Sequence, residues 1–411
     1  MSATTDSEIL IAGGGIGGLA TALACARSGR EVRVLERADQ FSEVGAGLQI
    51  GPNGAEALRS LGVLDGLNDL AVFPAQIVMR DINSGAELSR IDLGSNLTKR
   101  FGHRYRVMHR SDLLDALLAA VRALPNVALE TGQHVTGARI EADGSMVTCA
   151  NGNTFRGQIL IAADGVNSLL RKVIHGADMQ HCEGYVAYRG TVPFGELPEH
   201  AGKDTVVLYT GNGNHLVQYP VRGGKLYNQV AVFRSLRYHP ARNDETWATP
   251  EELDAAFART VPYVKASIAR IDRQMRWPLK DRDPITTWVK DSAALMGDAA
   301  HPMFQYVAQG ACQALEDAVT LGACLGAQLS PAALTRYARI RQGRTARVQG
   351  MARNFGEFIH LGGVAASLRD RILQSHDPSD YSQMEWLWGW RCGELDSDGD
   401  GNTAEMMKEA R

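Results

Sequence analysis

The strongest constraint on this chain lies in its first forty residues. Residues 8–12 form a short apolar run of strand type that ends in Gly13-Gly-Gly-Ile-Gly-Gly18. The helical pattern of residues 19–27 follows at once, with Gly29 as its expected C-cap. A second strand, residues 31–36, closes in an acid, Glu36, eighteen residues after Gly18. A G-x-G-x-x-G pattern alone is weak. Set between a strand and a helix, with an acid ending the next strand, it points to a bound dinucleotide. Gly13 permits the tight turn, Gly15 opens backbone N–H groups to a pyrophosphate, and Gly18 lets helix and strand pack closely. The phosphates then meet the positive end of the helix. Glu36 accepts hydrogen bonds from ribose hydroxyls and repels a 2′-phosphate, and Arg37 beside it is a further candidate for the cofactor. Five glycines in six residues start a helix poorly unless a ligand needs the bare backbone.

The sequence after the second strand separates nicotinamide from flavin binding. Further βαβ units do not follow. Instead Gly45-Ala-Gly-Leu-Gln-Ile-Gly-Pro-Asn-Gly54, which contains Gln49, leads into a helix near residues 55–61. Such a segment suits a close pass along a flat ring system. Beyond it, residues 76–92 read as a β-hairpin turning at Asn83-Ser-Gly85, and residues 113–123 as a helix capped by Ser111 or Asp112. Strands are expected at 127–130 and 135–142, and a buried strand from 158 runs into the turn at Asp164-Gly165. Residues 184–234 hold four segments with strand alternation, consistent with an antiparallel sheet that turns one face toward a cavity. A helix begins at 250, a buried strand covers 293–298, and long helices span 309–325 and 331–357. Glu385-Trp-Leu-Trp-Gly-Trp390 is an aromatic cluster that docks on the body.

With 411 residues the chain is long enough for two domains. A net charge of −3 without a long basic run argues against nucleic acid or an anionic membrane surface as partner. The six cysteines are scattered and form no C-x-x-C pair, which argues against a metal site or disulfide framework and for reduced thiols. With no signal-peptide core and no run of transmembrane length, a cytoplasmic location is expected. The acidic tail, residues 396–402, starts like a calcium loop, but Met407 stands where the bidentate glutamate belongs. A solvated, disordered end is expected there.

Three separated motifs now align: the glycine loop, Asp164-Gly165-Val-Asn-Ser168-Leu-Leu-Arg171, and Gly297-Asp-Ala-Ala-His-Pro302. Together they resemble the class A flavoprotein aromatic hydroxylases, the family of para-hydroxybenzoate hydroxylase, over residues 8–390. The stretches Ala187-Tyr-Arg-Gly, His215-Leu-Val-Gln-Tyr-Pro and Pro302-Met-Phe-Gln-Tyr are most similar to members that hydroxylate 3-hydroxybenzoate para to its hydroxyl. The resemblance implies an α/β fold: a Rossmann-like FAD-binding domain (1–75, 105–180 and 285–345), an antiparallel-sheet substrate domain (76–104 and 181–284) and a C-terminal helical segment (346–395). It also implies FAD as cofactor, NADH as donor with NADPH as the alternative, O2, a small aromatic acid as substrate, and a homodimer. Oxygen would be carried as the flavin C4a-hydroperoxide. Arg110, Asp164, Gly165 and Asp298 are then expected at FAD. The family's usual Gly-Gln-Gly-x-Asn keeps Gln309 and Gly310 here, but has Ala308 and Cys312 in place of glycine and asparagine.

The hydroxylation needs an activated phenol, since a phenolate is far more nucleophilic at its ortho and para carbons. Resemblance puts His215 at the substrate hydroxyl and Gln305 beside it. Tyr219, Tyr105 and Arg189 are candidates to line the ring pocket or meet the carboxylate. His301 is expected to be structural. The same constellation leaves three rivals open: decarboxylative hydroxylation of salicylate, a flavin oxidase or dehydrogenase that inserts no oxygen, and a non-catalytic FAD-binding or regulatory protein.

Overall fold

The computed structural model describes residues 5–42, 46–197, 202–239 and 246–392; the acidic tail lies outside these. β1 (Thr5–Ala12) is flanked in parallel by β2 (Val32–Leu35) and by the strand Thr154–Ala162. Val127–Glu130 and Ala293–Leu295 extend the sheet in parallel on either side. Such a sheet is buried on both faces, and its strands accordingly carry unbroken apolar runs such as Ile9-Leu-Ile-Ala12. The helix α1 (Ile16–Arg27) joins β1 to β2 and packs on the long helix Gly310–Ala327. Gly322 sits so close to Ala24 that a Cβ there would come within 2.5 Å of the alanine methyl.

A second sheet has seven strands in the order Trp277–Pro278, Tyr185–Pro193, Leu226–Arg234, Asn214–Val221, Thr205–Gly211, Gln76–Asp81 and Glu87–Asp92. All pairs are antiparallel except Thr205–Gly211 with Gln76–Asp81. The two-residue period decides its two faces. Leu216, Tyr188, Phe233 and Val207 point into a core closed by the helices Pro250–Phe257 and Pro262–Ile268. His215, Val217 and Tyr219 alternate with these and line a cavity on the other face. The helix Pro331–Ile359 supplies the opposite wall through Met351, Phe355 and Ile359. None of the described helices is long and apolar enough to cross a membrane.

One local expectation is corrected. The helix expected to begin after Ser111 or Asp112 starts at Arg110, because His109 is its cap: the His109 ring nitrogen Nδ1 accepts the Ser111 N–H at 3.3 Å. Ser111 and Asp112 lie inside its first turn. The long helices expected at 309–325 and 331–357 are observed at Gly310–Ala327 and Pro331–Ile359.

Candidate active site

The glycine loop is shaped by backbone contacts that tolerate no side chain. Gly13 takes φ 115°, and a Cβ there would overlap the Ala163 carbonyl; one at Gly18 would overlap the Gly13 carbonyl. Gly15 occupies the N-cap of α1 with no side chain capping it, so the first N–H groups of α1 have no capping side chain. Glu36 fixes the loop: its carboxylate accepts the Gly14 N–H at 2.8 Å and the Ala38 N–H at 2.9 Å. Arg37 is exposed beside it.

The second motif holds the third. Arg171, 1% exposed, donates from Nη1 to the carbonyls of Ala299 and Ala300 at 3.0 and 2.6 Å. Asp164 has both carboxylate oxygens engaged within its own turn, by the Ser168 hydroxyl at 2.5 Å and the Leu170 N–H at 3.1 Å. Burial pushes its pKa up against those bonds. Gly165 adopts φ 78°, which favours glycine. On the far side of the loop, Asp317 accepts the Gly297 N–H at 2.9 Å and pairs with His301 Nε2 at 2.6 Å. His301 is 1% exposed and is not among the residues that line the cavity described below. Pinned at both ends, the loop presents Asp298 outward at the rim of the cavity.

That cavity has a volume of about 450 Å³, within the range of small-molecule sites. At one end lie Arg110, Asp298, Gln309 and Gly310; at the other lie Arg189, His215 and Tyr219, with Gln49, Tyr105 and Gln305 also in its wall. The helix Gly310–Ala327 begins at this cavity with no side-chain cap, so its positive end is offered to the contents. Ala308 stands just before it in the left-handed region, φ 53°. Cys312 fills a tight gap against Gly54, whose added Cβ would lie 2.7 Å from the sulfur, and burial pushes its thiol up to about 12. The cysteine is thus a neutral packing group where the family usually has asparagine.

At the sheet end, the Tyr105 hydroxyl donates to Gln49 Oε1 at 2.7 Å. Burial raises both Tyr105 and Tyr219 well above the ordinary tyrosine value, so both keep their protons. Arg189 lies over the Trp277 ring at 4.3 Å. Gln305 Nε2 is buried with no protein partner, a free donor in the cavity wall. His215 is 2% exposed, and its Nδ1 lies 2.8 Å from His360 Nε2. Burial, then the neighbouring His360, hold His215 well below the ordinary histidine value. His360 was not singled out from the sequence; Trp388, in the aromatic cluster expected to dock on the body, packs edge-on to Tyr105 at 5.9 Å and lines the cavity.

Two bare helix N-termini, a glycine cradle, and a cavity running from one of them to the sheet suit an elongated dinucleotide with a flat ring at the cavity end. Comparison with known proteins agrees. A family model described as FAD binding domain matches residues 6–354. The chain belongs to the FAD binding domain family. It is a class A flavoprotein hydroxylase with FAD as cofactor. Among curated relatives, the 3-hydroxybenzoate 6-hydroxylase of Polaromonas naphthalenivorans (strain CJ2) is 39% identical over 393 residues, covering 94% of this chain and 97% of the relative. That of Klebsiella oxytoca is 39% identical over 389 residues, covering 93% and 96%. Among solved structures, Klebsiella pneumoniae HpxO complexed with FAD and uric acid superposes with a TM-score of 0.80 at 27% identity, covering 97% of this chain and 98% of that one.

Proposed function

We propose that this hydroxylase converts 3-hydroxybenzoate to 2,5-dihydroxybenzoate, using O2 and NADH or NADPH. The observation that carries the reading is the single cavity that joins His215 and Gln305 to the bare N-terminus at Gly310. The relatives named above carry the same activity in their names. FAD, when bound, supplies the redox chemistry: it takes reducing equivalents from the nicotinamide donor and activates O2 for transfer to the ring. The helix N-terminus at Gly310 stabilises negative charge on the reduced cofactor.

The chain's own residues do the rest. His215 has Nδ1 committed to His360, which leaves Nε2 for the substrate hydroxyl. Taking that proton makes the ring carbons ortho and para to the oxygen nucleophilic. Gln305 Nε2 donates to the substrate oxygen and fixes the ring. The protonated Tyr219 hydroxyl donates to the carboxylate, with the positive charge of Arg189 felt there, while Tyr105, whose one proton goes to Gln49, lines the ring pocket. Asp298, Arg110, Gln49, Gln309 and the 13–18 loop hold the cofactor, with Glu36 on its ribose. The homodimer is supported by an exposed apolar stripe on one helix, Val364, Leu368 and Ile372. Six free cysteines suit a reducing compartment such as the cytoplasm.

His215→Asn tests the base. Substrate hydroxylation falls by about 10²–10⁴-fold, FAD content is unchanged, and NADH consumed appears as hydrogen peroxide. Retention of wild-type product formation excludes His215 as the base.

A further inference from the structure

Arg106 is a buried cation with no part in the catalytic cavity. It opens the strand Arg106–His109, which pairs with Gly47–Ile50, and it lies opposite Ile50. Its neighbour Tyr105 lines the cavity and donates to Gln49, whereas Arg106 is not among the lining residues. Arg106 meets Phe73 instead, which the bridge between Val72 and Val107 brings alongside. Arg106 is 4% exposed, and its Nε and Nη1 are buried with no partner. The exposed Arg104 guanidinium lies 3.8 Å from the centroid of the Phe73 ring, and that of Arg106 lies 5.4 Å from it. Among the described residues, neither guanidinium is held by an ion pair or a hydrogen bond.

Such an arrangement is costly without an acceptor, since buried polar groups in native proteins are hydrogen-bonded and buried charges are paired. Burial pushes Arg106 down to about 10, and the like charge of Arg104 pushes the same way against the weaker pull of Asp65. At neutral pH it is still a cation. The Phe73 ring attracts positive charge through its face but offers no lone pair to an N–H in the guanidinium plane. Water accepts those N–H bonds yet leaves two positive charges side by side. An oxyanion does both: two of its oxygens match the fork of N–H donors, and its charge offsets the pair.

We propose that Arg106 and Arg104, beside Phe73, form a binding site for a small oxyanion, a carboxylate or a phosphate, outside the catalytic cavity. Arg106 grips the anion from within, and Arg104 meets it from the solvent side. The cofactor does not reach this place. Arg110, at the cavity, lies four residues further along the chain, about 13 Å away for extended backbone.

The test is thermal unfolding of the FAD-loaded enzyme at constant ionic strength, with potassium chloride replaced stepwise by potassium phosphate or potassium acetate. Phosphate also stabilises folded proteins without a site, so the difference between wild type and variant is read. The wild-type Tm rises saturably, by about 1–2 °C at ten times the Kd of the anion. A rise with phosphate alone assigns the site to phosphate, one with acetate alone to a carboxylate, and one with both to oxyanions in general. Arg106→Met removes the unpartnered charge, so in chloride its Tm equals that of the wild type or exceeds it, and its saturable response to the anion is gone. Arg106→Lys keeps the charge without the fork and needs about ten-fold more anion for the same rise. No saturable rise in the wild type with either anion, or an equal rise in Arg106→Met, overturns the site. If Arg106→Met does not fold, Arg106→Lys and Arg104→Ala decide, and an anion dependence unchanged in both overturns it.

Discussion

Removing Arg341 tests how the buried charges behind the cofactor end of the cavity hold it in shape. Arg341 is fully buried on the helix Pro331–Ile359. Its Nε donates to Asp317 Oδ1 at 2.7 Å, its Nη1 to Glu316, and its Nη2 to Gln313 Oε1 at 2.7 Å. Arg341→Met keeps an unbranched stem in the helix and deletes the guanidinium with its charge. Glu316 is then still held by Arg344 at 2.6 and 2.8 Å and by Asn53 at 2.8 Å. Asp317 keeps the Gly297 N–H and His301 on Oδ2, but Oδ1 loses its Arg341 donor. Breaking a buried ion pair from one side costs about 3–5 kcal/mol, and the surviving Arg344 contacts place this variant near about 3. Burial pushes Asp317 and Glu316 up, but nearby positive charge outweighs it and holds both below their ordinary values. Depressed carboxyl values stabilise the fold fully above the unfolded values of 3.8 and 4.5, and that contribution declines as the pH falls from these toward the lower folded values. The deficit of Arg341→Met is therefore full at pH 7 and narrows toward pH 3. Because Asp317 anchors the Gly297 N–H, FAD affinity falls with it. Denaturant unfolding of FAD-free and FAD-loaded protein at both pH values measures this. A loss below about 1 kcal/mol, or a deficit that grows in acid, refutes the reasoning.

Three further outcomes follow from the geometry. Gly18→Ala drives a methyl into the Gly13 carbonyl, so purified protein is colourless and FAD affinity drops by more than about ten-fold; a yellow variant with wild-type affinity contradicts this. Ala308→Gly relieves about 1 kcal/mol of left-handed strain at φ 53° and loses a similar amount to unfolded-chain entropy, so calorimetry finds stability nearly unchanged; a large loss refutes this balance. His360 falls from 6.5 unfolded to about 4 folded, so the unfolded chain binds the proton first. Stability is full above pH 6.5 and declines as the pH falls toward 4, by up to about 3 kcal/mol from this group; a titration flat over that window, for wild type against His360→Gln, refutes it.

What the sequence made legible was local. The strand–glycine–helix unit, the acid ending the second strand and the alternation of His215, Val217 and Tyr219 are set by neighbours along the chain. The roles of Arg171 and Asp164 were harder to read. The motif that contains them is plain, yet only the fold shows that Arg171 clamps the carbonyls beside Asp298 and that Asp164 is engaged by its own turn. His360 carried no local signal, because a histidine after a long helix is ordinary and its partner lies 145 residues away. Arg341 did have one: two adjacent acids, Glu316 and Asp317, inside an apolar helix require a buried cation, although the sequence does not say which.

The measurement that bears most directly on the account is product identification. The FAD-loaded enzyme is given NADH in air with 3-hydroxybenzoate or salicylate, and the products are separated by chromatography. The account predicts 2,5-dihydroxybenzoate from 3-hydroxybenzoate, one for each NADH oxidised. Catechol from salicylate with no turnover of 3-hydroxybenzoate, or hydrogen peroxide alone from both acids, would contradict it.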